Sequence, residues 1–334
     1  MKLSYMGHLV ALATAVILAG CGGAGTGTTV PQGVTMAQAG VHKASSSAAL
    51  IYAFGSFNGG PGIIIDYPSG EVVNSVTVPF GVPDSTCSDS SGNVFVGGQS
   101  PSSAAPVMAK LAYGATSPSA SVSIGSSPGR VMSCSVDKTT GNVAALVQYD
   151  NFSFAVAVLP DFTGTPAFYT DSGIWRFLSV GYDGSGNLFL LGTQQGSSSS
   201  TYDLAELPGG GSSFESISLA LSSHVTELRT LQWDGKYVTL YGRYEGKGMP
   251  ETWPPAVYQL KISGSSASIA NTILLRAIIK NPDDTSWIAP SLNAIVLGRG
   301  RLHIFKYPAG GKQIKRLIED GKVYMATVAV PSSQ

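Results

Sequence analysis

The sequence predicts an all-β fold made of six copies of a four-stranded antiparallel unit, and three observations predict it. An apolar strand runs into a short turn six times, at Tyr67-Pro68-Ser69-Gly70, Leu111-Ala112-Tyr113-Gly114, Leu159-Pro160-Asp161, Leu207-Pro208-Gly209-Gly210, Leu260-Lys261-Ile262-Ser263-Gly264 and Tyr307-Pro308-Ala309-Gly310. Counted between the first residues of these turns, the steps are 44, 48, 48, 53 and 47. A fixed period of this size means that no unit buries its apolar face alone, so each must stack on its neighbours. A second turn style alternates with the first: Asp89-Ser90-Ser91-Gly92, Asp137 to Gly141, Asp183 to Gly186 and Asp234-Gly235. Asp bonds nearby backbone amides and Gly supplies positive φ, so both suit a tight turn. Finally, the segments between turns are short and apolar, with no helical period.

The elements follow in chain order. Lys2, the apolar run Leu9 to Leu18 and then Leu18-Ala19-Gly20-Cys21 read as an export signal, because the apolar run is too short to span a bilayer. Small residues before a cysteine resemble a bacterial lipoprotein signal. The resemblance implies cleavage of residues 1–20 and lipidation of Cys21. In a Gram-negative host the same resemblance implies, from Gly22 beside that cysteine, delivery to the outer membrane. An ordinary secretory signal with an incidental cysteine is the alternative. Residues 21–48 are rich in Gly, Thr and Ser and read as a flexible tether that contains His42. Its reach is on the order of 30 Å, which holds the folded body near the membrane.

The folded domain is expected over residues 49–331. Apolar strands begin near Leu50, Asn93, Asn142, Asn187, Lys236 and Asn293. Each unit then reads as four strands: an inner one ending at the Asp turn, a second with the apolar run, a third leading into the Pro/Gly turn, and a closing fourth. In the third unit these fall near 130–136, 142–149, 154–159 and 165–169. Four-stranded antiparallel units of this period are the blades of a β-propeller, here six. The first unit starts at Leu50 with its second strand, and the last strand, Lys322 to Val330, has no partner of its own. Giving that strand to the first unit closes the ring and removes two open sheet edges.

Asp89-Ser90-Ser91-Gly92-Asn93-Val94-Phe95-Val96, echoed in Asp183-Gly184-Ser185-Gly186-Asn187-Leu188-Phe189-Leu190, resembles the six-bladed propellers of the NHL-repeat and SMP-30/gluconolactonase type. The resemblance runs over most of the chain after residue 49. It implies blade geometry more than activity, because these residues build turns. The lactonase relatives use acidic and amide side chains around a divalent metal at the channel mouth, and no matching set is legible here.

Charged residues are only 12% and the formal net charge is zero, which excludes the basic stripe a nucleic-acid binder needs. Cys87 and Cys134 are one repeat apart and are expected at similar places on neighbouring units. An exported compartment permits a bridge. Neighbouring inner strands stand at or slightly beyond the Cα separation a disulfide requires, so a bridge and two small buried thiols both stay open.

His224 and His303 lie alone in different units, so neither a metal site nor a cofactor is expected. Asp89, Asp137, Asp183 and Asp234 recur as turn formers. Gly125-Ser126-Ser127-Pro128-Gly129 fits G-x-S-x-G but lies between strands, whereas a nucleophile elbow needs a strand-to-helix turn. The stronger signal is a difference between the two faces. One carries tight turns. The other carries longer irregular loops, Gly55 to Gly62, Gly98 to Ala105, Thr193 to Thr201 and Arg243 to Pro255, and such loops on a rigid scaffold carry recognition. Segments leading into the inner strands open on the same face with Arg130, Trp175, Arg176, Arg229 and Trp287, and Trp253 lies nearby. Arg130 and Arg176 each precede a turn Asp by seven residues. Guanidinium forks and flat indole faces suit a small anion, a sugar-like ligand or an envelope protein. A lipid-anchored binding module of the cell envelope is therefore the expected function. A metal-dependent lactonase-like hydrolase and a structural envelope component are the rivals.

Overall fold

A computed structural model describes residues 48–55, 61–194, 201–246, 254–276, 285–298, 302–317 and 323–331. The expected signal sequence, Cys21, His42, nearly all of the tether, and Trp253 lie outside the described residues. Among the described residues, twenty-four strands and two three-residue 3-10 turns, Pro160–Phe162 and Pro290–Leu292, make up the regular structure.

The strands pair in antiparallel fours. The first unit is β1 (Ala49–Phe54), β2 (Gly62–Tyr67) and β3 (Val72–Val76), joined by the chain's last strand, β24 (Met325–Ala329). β24 runs antiparallel to β1, with Leu50 opposite Ala329 and Phe54 opposite Met325. The second unit is β4 (Pro83–Ser88), β5 (Val94–Gln99), β6 (Pro106–Leu111) and β7 (Ala120–Ser123). The third is β8 (Gly129–Val136), β9 (Val143–Tyr149), β10 (Phe154–Leu159) and β11 (Ala167–Tyr169), close to the bounds expected from sequence. The fourth is β12 (Arg176–Tyr182), β13 (Leu188–Thr193), β14 (Tyr202–Leu207) and β15 (Glu215–Ala220). The fifth is β16 (Val225–Trp233), β17 (Val238–Tyr244), β18 (Pro255–Ser263) and β19 (Ser266–Arg276). The sixth is β20 (Thr285–Ala289), β21 (Ala294–Gly298), β22 (Leu302–Lys306) and β23 (Gly311–Arg316).

Two links go beyond the fours. The outer strand β19 pairs in parallel with β15 along Ser218–Ala220 and with β23 at Leu275 and Arg276, so the outer edges of the last three units are joined. The fifth turn also departs from expectation. There β18 continues to Ser263 and turns over Gly264 and Ser265.

Burial within each unit is graded, and the gradient explains the sequence. The second strands β1, β5, β9, β13 and β17 are buried on both faces over their first five residues, because a neighbouring unit covers each face. They therefore read as continuous apolar runs rather than alternating ones. Outer strands such as β7 and β23 meet solvent and are mostly polar. Each apolar cluster lies between two units. One joins Ile295 and Phe305 of the sixth unit to Val257 and Ile273 of the fifth. Another joins Ala289, Val296 and Ile304 of the sixth to Ile51, Ile65 and Val328 of the first. Where β12 comes closest to β16 only glycine fits: a Cβ on Gly181 would stand 2.3 Å from Leu231 Cδ2.

Candidate binding site at the inner-strand channel

Four inner strands carry an irregularity at the same place. The pairing of β4 skips Asp84, that of β8 skips Met132, that of β12 skips Leu178, and that of β16 skips 227–229. An extra residue in a strand is left out of the ladder, and its side chain is re-aimed. Asp84, Met132, Leu178 and Arg229 each stand five residues before their turn Asp, and all four line one cavity of about 210 Å³ between the inner strands. Gln148, Arg176, Gln232 and Trp287 also stand in its wall, beside Phe154, Phe177 and several hydroxyl side chains.

Arg130 holds the rim. Its Nη2 and Nε donate to Gln148 Oε1 at 3.1 and 3.4 Å, and Nη1 lies 4.0 Å from Asp84 Oδ1. Arg130 and Arg176 occupy matching positions, each opposite the sixth residue of its second strand, Gln148 and Thr193. Burial pushes the Asp84 carboxyl above the ordinary carboxylate range, and the Arg130 charge opposes that only in part. A guanidinium that is half exposed and 4.0 Å away is a weak partner. The cavity thus combines one carboxylate that ionises reluctantly with guanidinium groups from three units.

Of the residues expected to bind ligand, the structure brings Arg176, Arg229 and Trp287 to the cavity and Arg130 to its rim. Trp287 is half-buried and also packs against two apolar clusters, one between the sixth and first units and one between the second and third. Trp175 is not among the lining residues. It is 59% exposed and lines a separate groove with Asp171 and Ser153.

Sequence reasoning missed Asp84, Gln148 and Gln232. It also missed a recurrent hydroxyl: Ser85, Ser133, Ser179 and Thr230 each precede a turn Asp by four residues. Two of these stitch neighbouring inner strands, which share no ladder. Leu231 N donates to Ser179 Oγ at 3.0 Å, Val180 N donates to Ser133 Oγ at 3.4 Å, and the two hydroxyls lie 3.2 Å apart. Tyr182 N donates to Ser135 Oγ at 2.9 Å, and the Gln232 amide bonds Ile288 both ways at 2.8 and 2.7 Å. Ser88 Oγ donates to Val328 O at 2.8 Å, tying β4 to β24. The repeat of Ser or Thr ahead of each Asp is the signal that would have found this seam.

Cys87 and Cys134 are joined in a disulfide, Cα atoms 5.8 Å apart. They do not occupy similar places as expected. Cys87 precedes its turn Asp by two residues and Cys134 by three. Successive side chains on a strand point to opposite faces, so this one-residue stagger turns the two sulfurs toward each other across neighbouring units.

The turn aspartates do as expected. Asp89 Oδ1 accepts from the backbone of Ser91 and Asn93, and Asp183 Oδ1 accepts from Ser185 and Asn187. Asp234 does more: its buried Oδ2 accepts from Gln259 Nε2 at 2.7 Å and from the Tyr307 hydroxyl. Burial and that carboxylate push the Tyr307 phenol far up. His224 Nδ1 meets Glu245 O at 2.5 Å, and His303 Nδ1 meets Gln313 Oε1 at 2.7 Å. Ser127 is exposed between β7 and β8, with no helix following it.

Among the described residues no three His, Cys, Asp or Glu side chains gather as metal ligands. The cavity's amide oxygens are already engaged, Gln148 Oε1 by Arg130 and Gln232 Oε1 by Ile288 N. No described helix is long and apolar enough to cross a membrane.

In the crystal structure of a nidogen/laminin complex, a propeller chain matches with a TM-score of 0.59, covering 86% of this chain and 100% of that one at 10% identity. This is a β-propeller fold. Looser matches are a putative TolB from Agrobacterium tumefaciens (TM-score 0.48, 13% identity, 86% and 99% covered) and Citrobacter koseri AztD (TM-score 0.45, 10% identity, 86% and 99% covered). No family model and no curated protein matches the chain. The likeness therefore concerns the propeller scaffold, and chemistry must be read from the propeller's own side chains.

Proposed function

We propose that the chain is an exported, lipid-anchored six-bladed propeller that binds a small organic anion at the long-loop end of its central channel. The six antiparallel fours and the β24–β1 pairing support the ring, and Leu18 to Cys21 support the anchor. Residues 1–20 are the signal, 21–48 the tether and 49–331 the propeller. This assignment puts the folded body in the cell envelope, beside the membrane that holds its lipid.

One observation carries the ligand assignment. Arg176 and Arg229 line a cavity whose Asp84 is disfavoured as an anion, and Arg130 stands at its rim. Forked guanidinium groups suit a carboxylate. A volume of about 210 Å³ equals roughly seven waters at ~30 Å³ each, so the ligand is small, of sugar-acid size. The hydrolase rival would need oxygen ligands that are not already held by N–H donors, and Gln148 and Gln232 are so held.

Calorimetric titration with gluconate and with methanesulfonate tests the assignment. Either anion should bind, and Arg229→Gln should weaken it by about tenfold or more, as losing a charge-assisted bond does. An absence of binding by both anions, or unchanged affinity in the variant, would overturn it.

A further inference from the structure

At its other end, among the tight turns, the inner-strand channel opens into a cavity of about 740 Å³. Trp287 and Gln232 line both cavities, so their side chains stand between the two mouths. The wider mouth is walled by Trp233, Trp287, Tyr182, Pro290 and Val330, with Lys138 exposed at its edge.

Beside serine hydroxyls and the Gln232 amide, its lining presents two indole N–H donors, a phenol and one cation. Among the described residues neither the Trp233 nor the Trp287 indole N–H has a hydrogen-bond partner, and Lys138 has no carboxylate partner. Burial, with Asp137 nearby, pushes the Tyr182 phenol strongly up, so it keeps its proton. The carboxylate at the rim, Asp89, already accepts from Ser91 N, Asn93 N and Asn93 Nδ2 at 2.9, 2.8 and 2.7 Å. Flat apolar walls beside uncommitted donors and one cation define what fits: a planar ring with an acceptor, negatively charged, at one end. A sugar would leave the apolar walls poorly covered, and an aromatic cation would meet Lys138.

We infer that the tight-turn mouth is a second binding site, selective for small aromatic carboxylates, with Trp233 and Trp287 contacting the ring and Lys138 and an indole N–H the carboxylate. It shares Trp287 and Gln232 with the anion site at the other end but none of that site's guanidinium groups.

Calorimetry on the full chain with three probes of one shape tests this: 2-naphthoate, its neutral carboxamide, and 2-naphthylmethylammonium. The carboxylate should bind best, the amide about three- to fivefold more weakly, as for one exposed charge contact, and the ammonium least. Lys138→Gln lies on an exposed turn and should bring the carboxylate down to the amide. Trp233→Leu should weaken both by about tenfold, the worth of an aromatic contact. Arg229→Gln should leave all three unchanged. The site is overturned if 2-naphthoate does not bind, if the three probes bind alike, or if Lys138→Gln leaves its affinity unaltered. A loss caused by Arg229→Gln would instead assign the naphthoate to the other mouth.

Discussion

Asp84 stands where β4 carries one residue too many, and that accident of register puts a carboxylate among guanidinium groups. Nothing in the letters around it marks a bulge. The lead-in arginines were legible because their spacing to a turn Asp repeats, whereas Asp84 has Met132 and Leu178 at the equivalent positions. Its raised pKa has a definite sign. The folded protein holds the Asp84 proton more tightly than the unfolded chain does. The associated stability is complete below the unfolded pKa and is lost as pH rises through the folded one. At the proposed site the same proton would govern anion binding, since an ionised Asp84 repels an anion. Affinity for methanesulfonate, whose own charge does not change, should therefore rise as pH falls from neutral toward the ordinary carboxylate range. Asp84→Asn should tighten binding at neutral pH and flatten the profile. Titrations at several pH values check both, and a steep profile surviving in the variant would remove Asp84 from the explanation.

At the scale of single strands, the inner ones are unusual in having a neighbour with which they share no backbone ladder. Hydroxyls, one glutamine amide and one disulfide join them instead. The strand boundaries of the third unit were readable from its turns almost to the residue, because turn chemistry is local. The seam was not, because it depends on which face each side chain presents to the next unit. Cys87 and Cys134 show the difference: a spacing of 47 looks like one repeat, yet the Asp turns are 48 apart, and the missing residue is what turns the sulfurs together. Closing a loop of that length restricts the unfolded chain by about 4 kcal/mol in the chain-entropy model, with typical measured values of about 2–4 kcal/mol. Replacing both cysteines by alanine should lower the unfolding free energy by about 2–4 kcal/mol. Urea denaturation of the oxidised parent and the double variant measures it, and equal midpoints with equal slopes would show that the bridge contributes nothing.

Over the whole molecule, the proposed ring rests on one exchange: the last strand completes the first unit. Repetition in the sequence counted the units, but repetition alone does not distinguish a closed ring from an open stack. The first unit's missing inner strand and the unpaired last strand were the legible hint. The physical content of closure is that β24 covers the edge of β1, while Ala326 and Val328 complete the apolar cluster between the sixth and first units. An uncovered β1 would expose both a strand edge and that cluster, a combination that invites aggregation. Removal of residues 323–331 should therefore abolish cooperative unfolding or drive the protein into aggregates. A permutant separates the need for the strand from the need for its place in the sequence. Leu50 lies opposite Ala329, so the end of β24 and the start of β1 are adjacent. Residues 323–331 can therefore be moved ahead of residue 49 through a short turn linker, leaving the chain to end after β23. In a closed ring every contact survives this change, and the permutant should unfold cooperatively at close to the parent's midpoint. In an open stack β24 would be dispensable. The truncated chain would then melt like the parent, and that result would end the ring proposal.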